Sequence, residues 1–94
     1  MAVTRDSRHI RMTAGGDAAT GKFCLTGLFI ILTGGTIGQA FKVSDTDGNI
    51  IAEGYVEAAT QNIDLLGGIE IHVDGIVWTT APAAGSPVLL ARYR

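Results

Sequence analysis

The segment Phe23–Leu32 restricts the fold of this chain more than any other feature. Its ten residues are almost all apolar, with interruptions at Thr26 and Gly27. A membrane-spanning helix needs about 20 such residues, so this segment is too short to be one. As a strand, in which side chains alternate between two faces, it is apolar on both faces from Leu28 onward. We therefore expect a central strand that is covered on both sides, and Gly27 predicts a bulge or bend within it.

The rest of the chain is divided into short segments rich in Val, Ile and Thr, which favour strands. No stretch of eleven or more residues carries a helical apolar stripe without an intervening glycine. Eight candidate strands follow from the alternation: Arg8–Thr13, Lys22–Leu32, Ala40–Ser44, Ile50–Glu57, Gln61–Leu66, Ile69–Val73, Ile76–Thr80 and Val88–Tyr93. The last of these is expected to pair with an early strand.

Glycine-containing turns separate these segments. Asp47-Gly48 favours the positive φ angles of a tight hairpin, and Asp74-Gly75 predicts a second hairpin. Short strands at this spacing are typical of an all-β fold, and we predict a small antiparallel β-sandwich or jelly-roll-like barrel of about seven to eight strands. Residues 9–94 form the single predicted domain. Residues 1–8 are predicted to be an N-terminal arm, because they contain too little apolar surface to order themselves against that domain.

The charges are distributed unevenly along the chain. The net charge is −2. Residues 23–91 contain seven acidic residues and one lysine, whereas both ends of the chain are basic. We expect Arg5, Arg8 and Arg11 to contact acidic surfaces of neighbouring subunits, and the alternative is that they are ordinary solvated residues. The overall charge does not favour direct binding to nucleic acid.

The chain is also poor in charge for its size. Charged residues make up 17% of the sequence, against about 25% in an average domain. So few charged side chains leave part of the surface of a small domain apolar, which favours an obligate homo-oligomer with apolar contacts. The predicted apolar interface consists of Leu28, Ile30 and Leu32, together with Trp78 as an interface or core anchor.

Two groups of side chains have the character of metal ligands. Asp45, Asp47 and Asn49 have the spacing of the first three ligands of a calcium loop, but the glycine and the glutamate that such a loop requires are misplaced. A hairpin explains these residues without a metal. His72 shares one strand face with Glu70 and Asp74, a pattern that fits a metal site or a pH-sensitive patch, although an ordinary solvated face is favoured.

Nothing in the sequence indicates an enzyme. Cys24 is the only cysteine, so no internal disulfide is possible. We expect it to be a small, buried hydrophobic residue. We predict no catalytic residues, no cofactor and no required metal. Residues 1–22 contain charges throughout and resemble no signal peptide, which predicts a protein that is made in the cytoplasm and does not enter a membrane.

Several strings together resemble small all-β virion proteins of tailed bacteriophages. They are Ile10–Asp17, Thr20–Phe23, Ser44–Asn49, Val73–Ile76 and Val88–Leu90. This resemblance implies a compact sandwich that decorates or cements the capsid, or that serves as an accessory head or tail subunit. It also implies many copies in the virion, synthesis in the host cytoplasm, and contacts with itself and with the major capsid protein or another virion protein. It implies no catalysis.

The alternative function is that of a glycan- or ligand-binding β module, such as a tail-fibre tip domain. Carbohydrate sites use exposed aromatic side chains in a groove, so this alternative requires Tyr55 or Trp78 to be exposed.

Overall fold

The structure is a computed structural model that describes residues 3–5, 8–34, 37–66, 70–83 and 85–94. No described residue is helical, and accordingly none belongs to a helix long and apolar enough to cross a membrane. The described residues form eight strands: β1 (Val3–Arg5), β2 (His9–Met12), β3 (Ala18–Thr33), β4 (Ala40–Ser44), β5 (Ile50–Tyr55), β6 (Thr60–Ile63), β7 (Ile71–Thr80) and β8 (Ser86–Tyr93). Ile69, which the sequence places in a strand, lies outside the described residues.

The eight strands are hydrogen-bonded into one antiparallel sheet. Its order is β1-β2-β8-β3-β7-β4-β5, and β6 pairs with β3. The long strand β3 pairs with β7 through its first half, whereas its second half lies between β8 and β6. The predicted all-β antiparallel class is confirmed, as is the pairing of the last strand with early ones. The strands are connected through β3 into a single sheet.

Two bulges change the face that the side chains of β3 present. One shift of register lies near the start of the strand, and the other lies between Leu25 and Gly27, where the sequence predicts a bulge. Phe23 and Leu25 are buried in the same core as Leu28. Uninterrupted alternation would have placed Leu28 on the opposite face from them. The extra residue at the bulge turns Leu28 to the same face as Phe23 and Leu25, so that all three pack in the core.

The predicted apolar interface requires a correction for its three β3 residues, whereas the core alternative for Trp78 is confirmed. Leu28, Ile30, Leu32 and Trp78 are all between 0% and 4% exposed and belong to the core of the chain itself. The physical reason is the shape of the sheet, whose inner face receives these side chains from β3 and β7. A neighbouring subunit can therefore contact only the alternate residues of β3 while the domain is folded.

The predicted N-terminal arm also requires a correction for its described part. Residues 3–5 form strand β1, which pairs with β2 through partners such as Val3 with Met12. The Arg5 guanidinium lies 4.5 Å from the centroid of the Phe23 ring and donates a hydrogen bond to the Tyr93 hydroxyl at 3.3 Å. Backbone pairing and this cation–π contact attach the segment to the domain. The remaining arm residues 1–2 and 6–7 lie outside the described residues.

The two predicted hairpins have different outcomes. Residues 45–49 connect β4 to β5, and Gly48 has a φ of 90°, so the hairpin at Asp47-Gly48 is confirmed. The hairpin at Asp74-Gly75 is wrong, because β7 runs through Gly75 without a turn. A close approach explains this glycine better. A Cβ atom there would lie 2.5 Å from Thr46 Cγ2 and 3.0 Å from the Ala19 carbonyl oxygen.

We predict that Gly75→Ala destabilises the domain by about 1–3 kcal/mol, the usual cost of overpacking. The added methyl group would collide with the hairpin residue Thr46 and with the backbone of β3. Urea unfolding followed by circular dichroism would measure the change. Gly15→Ala is the matched control, because its Cβ would meet the nearest atom at an ordinary 3.4 Å. Equal stability of the Gly75→Ala variant and the original chain would contradict this account.

Candidate functional site

The side of β3 and β8 that faces away from the core carries large apolar side chains. Phe29 lies opposite Leu90, and Ile31 lies opposite Val88. All four side chains are half-buried and alternate along their strands with more deeply buried residues of the core. The solvent-facing side of an antiparallel sheet is usually polar. These four residues, named here the outer apolar strip, are therefore the main candidate for an interaction surface.

Polar and basic residues border the outer apolar strip. Arg11 of β2 lies opposite Leu90, and Asn62 of β6 lies opposite Phe29. Arg92 pairs with Gly27, and its guanidinium lies across that glycine, since a Cβ atom there would be 3.0 Å from Arg92 Nη2. The bulge glycine thus provides room for a cation to lie flat against the sheet.

A shallow groove of about 190 Å³ lies at this border. Its lining includes His9, Phe29, Asn62, Leu90 and Arg92. The groove thus combines the apolar side chains of the strip with a guanidinium, an imidazole and an amide. Such a mixture of an apolar centre and a polar rim is typical of protein–protein interfaces.

The three predicted basic interface residues have different surroundings in the structure. Arg11 is exposed at the border of the outer apolar strip, and Arg8 is exposed before β2. Arg5 instead contacts the rings of Phe23 and Tyr93 within its own chain. Of the three, Arg11 is the one whose position adjoins the strip.

A second groove, of about 310 Å³, lies beside β5 and β6. Tyr55 is 64% exposed there, and the lining also includes Glu57, Asn62 and Asp64. Gln61 is already engaged in this groove, since its Oε1 accepts a hydrogen bond from the Glu57 backbone at 2.7 Å. Trp78 is fully buried, so a glycan-binding function would depend on Tyr55.

The Asp45 carboxylate is hydrogen-bonded within its own hairpin. Asp45 Oδ1 accepts hydrogen bonds from the backbone N–H groups of Asp47 and Asn49, each at 2.9 Å, and Oδ2 accepts one from Asn49 Nδ2 at 3.1 Å. Desolvation acts to raise the pKa of Asp45, but these hydrogen bonds from Asn49 and Asp47 outweigh it and lower the pKa below its ordinary value. The carboxylate is thus explained by the hairpin, as the sequence predicts.

A different group of possible metal ligands is assembled by the fold. Cys24 of β3 lies directly opposite His72 of β7, and Glu70 precedes His72 by two residues. One ligand atom from each of the three lies within 4.8 Å of the other two. Cys24 is predicted to be a small, buried hydrophobic residue, but it is only half-buried. The sequence pattern placed Glu70 and His72 on one face, but no local signal connects them to Cys24.

Arg94 is part of this group. Its Nη2 lies 2.6 Å from Glu70 Oε1. A hydrogen bond with Cys24, followed by the charge of Glu70, raises the pKa of the Arg94 guanidinium above its usual value. A cation therefore lies beside the carboxylate of this group.

Comparison with known proteins identifies no relative. No family model matches the chain, and no curated protein or solved structure is similar to it.

We predict that Asp45→Asn reduces the loss of stability on acidification. The pKa of Asp45 is lower in the folded than in the unfolded chain, so its contribution is complete above the unfolded pKa and is lost as the pH falls through the folded pKa. The free energy of unfolding, measured in urea from neutral pH to about pH 2, should therefore depend less on pH in the variant.

Asp47→Asn is the control for this measurement, because Asp47 contributes its backbone N–H to the turn rather than its carboxylate. An acid dependence in Asp45→Asn as steep as that of the original chain would show that this carboxylate does not stabilise the hairpin.

Proposed function

We propose that this protein is a non-enzymatic structural subunit that assembles through the outer apolar strip, in the manner of a capsid decoration or cement protein of a tailed bacteriophage. The observation that carries the proposal is the set of four large apolar side chains on the solvent side of the sheet. The phage context comes from the resemblance of the turns and strand segments to small virion proteins. The basic border and the acidic groove on the same chain support self-association.

Burial of the outer apolar strip would supply free energy for association. Full burial of a large apolar side chain is worth about 1.5–3 kcal/mol relative to full exposure, and the strip side chains are only half-buried in the single chain. A partner that covers Phe29, Ile31, Val88 and Leu90 would gain the remaining part of this free energy. The central strands of a sheet also provide a firm, pre-organised surface, which lowers the entropic cost of binding.

The charges favour a second copy of the chain as one partner. Arg11 and Arg92 border the strip, whereas Glu57 and Asp64 line the groove beside β6. A basic border on one copy and an acidic groove on the next are complementary. Contacts between two different surfaces of identical subunits generate rings or extended arrays, as a shell of many copies requires.

We predict that the double substitution Phe29→Ser and Leu90→Ser shifts the protein toward the monomer. Loss of two apolar contacts of about 0.8–1.5 kcal/mol each, half the value for full burial, would weaken association by about 15–150-fold. Light scattering at micromolar concentration would measure the mass. Because both side chains lie outside the core, circular dichroism should show a folded β protein.

Ile37→Ser is the matched control, since Ile37 is 59% exposed and lies outside both the outer apolar strip and the acidic groove. It should associate as the original chain does. A monomeric original chain at these concentrations would exclude self-association, and equal loss of association in the control would exclude the strip as its cause. Co-sedimentation with phage capsids, reduced in the double variant, tests the virion role separately.

A glycan-binding function is the second candidate, and the exposure of Tyr55 beside carboxylates and amides favours it. Calorimetric titration with a panel of oligosaccharides would test this function. Binding that is lost in Tyr55→Ala, but retained in Phe29→Ser and Leu90→Ser, would support the glycan module. Absence of heat with every oligosaccharide would count against it.

A further inference from the structure

Cys24, Glu70 and His72 form a compact triangle on the two neighbouring strands β3 and β7. Cys24 and His72 are direct cross-strand partners, and Glu70 lies two residues before His72. We propose that these three side chains bind a zinc ion, or a divalent transition metal of similar chemistry, with one coordination position left open. This inference is independent of the proposed structural function.

The distances suit chelation. A tetrahedral zinc ion with bonds of about 2.0–2.3 Å holds neighbouring ligand atoms about 3.3–3.6 Å apart. The three ligand atoms here lie within 4.8 Å of one another. His72 and Glu70 are exposed, so rotation of their side chains can close the remaining gap without movement of the sheet.

The shape of the cluster also distinguishes metal binding from nucleophilic catalysis. In a catalytic triad the histidine stands between the nucleophile and the carboxylate, which keeps those two groups well apart. Here the cysteine sulfur and the glutamate oxygen lie within 4.8 Å of each other, and each lies within 4.8 Å of a histidine nitrogen. A triangle of this kind can surround a single ion.

The donor atoms identify the class of metal. A thiolate, an imidazole and a carboxylate together favour zinc over magnesium or calcium, which prefer oxygen ligands alone. Three protein ligands leave a fourth position for water or for a ligand from another molecule. A groove of about 550 Å³, whose lining includes Lys22, Cys24, His72 and Asp74, connects the site to solvent.

Arg94 contacts a proposed ligand, so its substitution tests the site. Its guanidinium Nη2 lies 2.6 Å from Glu70 Oε1, so it is paired with one of the three proposed ligands. The Arg94 side chain is 69% exposed and can move into solvent. A metal ion and this guanidinium therefore compete for the Glu70 carboxylate.

Titration of the whole chain with Co²⁺, followed by competition with Zn²⁺, would test the proposal. We expect an ultraviolet thiolate-to-cobalt charge-transfer band that is lost in Cys24→Ser and is displaced by zinc. Substitution of residues that only support a ligand weakens metal binding by about 10–100-fold, so His72→Gln, which removes a ligand, should weaken it at least as much. Arg94→Ala should strengthen binding by up to about fivefold, because an exposed ion pair no longer competes.

Two control variants separate this site from general attraction of cations. His9→Gln makes the same chemical change on β2, and Asp74→Asn removes a carboxylate from the same groove. Both should bind cobalt as the original chain does, and circular dichroism should show every variant to be folded. The proposal is overturned if the original chain shows no charge-transfer band at millimolar cobalt, if Cys24→Ser retains the band, or if Arg94→Ala weakens binding.

Discussion

Strand β3 makes hydrogen bonds to three other strands, and the remaining structure depends on this arrangement. Its first half pairs with β7, and its second half lies between β8 and β6. Among the described strands, β7 in turn joins β4 and β5 to the sheet, while β8 joins β2 and β1. A sixteen-residue strand can hold both groups together because two bulges allow it to bend.

The bulges also decide what each side of β3 presents. Phe23, Leu25 and Leu28 all reach the core, although uninterrupted alternation would separate them. On the other side, Cys24 in the first half lies beside His72, whereas Phe29 in the second half lies beside Leu90. One strand thus contributes to the core, to the proposed metal site and to the outer apolar strip.

The two proposed sites differ in what they require from a partner. The outer apolar strip is a broad, weakly polar surface with a basic border, which suits another protein surface. The Cys24, Glu70 and His72 cluster is small and rich in donor atoms, which suits a single ion. Because one lies in each half of β3, substitutions in one site leave the side chains of the other unchanged.

The sequence by itself determined the all-β class, the bulge at Gly27, the hairpin at Asp47-Gly48 and the pairing of the last strand with early ones. These features follow from local turn chemistry and from alternating polarity, which act over a few residues. The sequence did not determine which residues of β3 face the core, because one extra residue at a bulge reverses the alternation.

Tertiary structure alone decided the remaining features. It extended β7 through Gly75. A glycine is required there because the hairpin residue Thr46 occupies the space that a side chain would fill. It buried Trp78 and Leu28 in the core and left Phe29 on the outer face. It also brought Cys24 beside His72, which are far apart in the chain, because antiparallel pairing sets contacts by register and not by sequence distance.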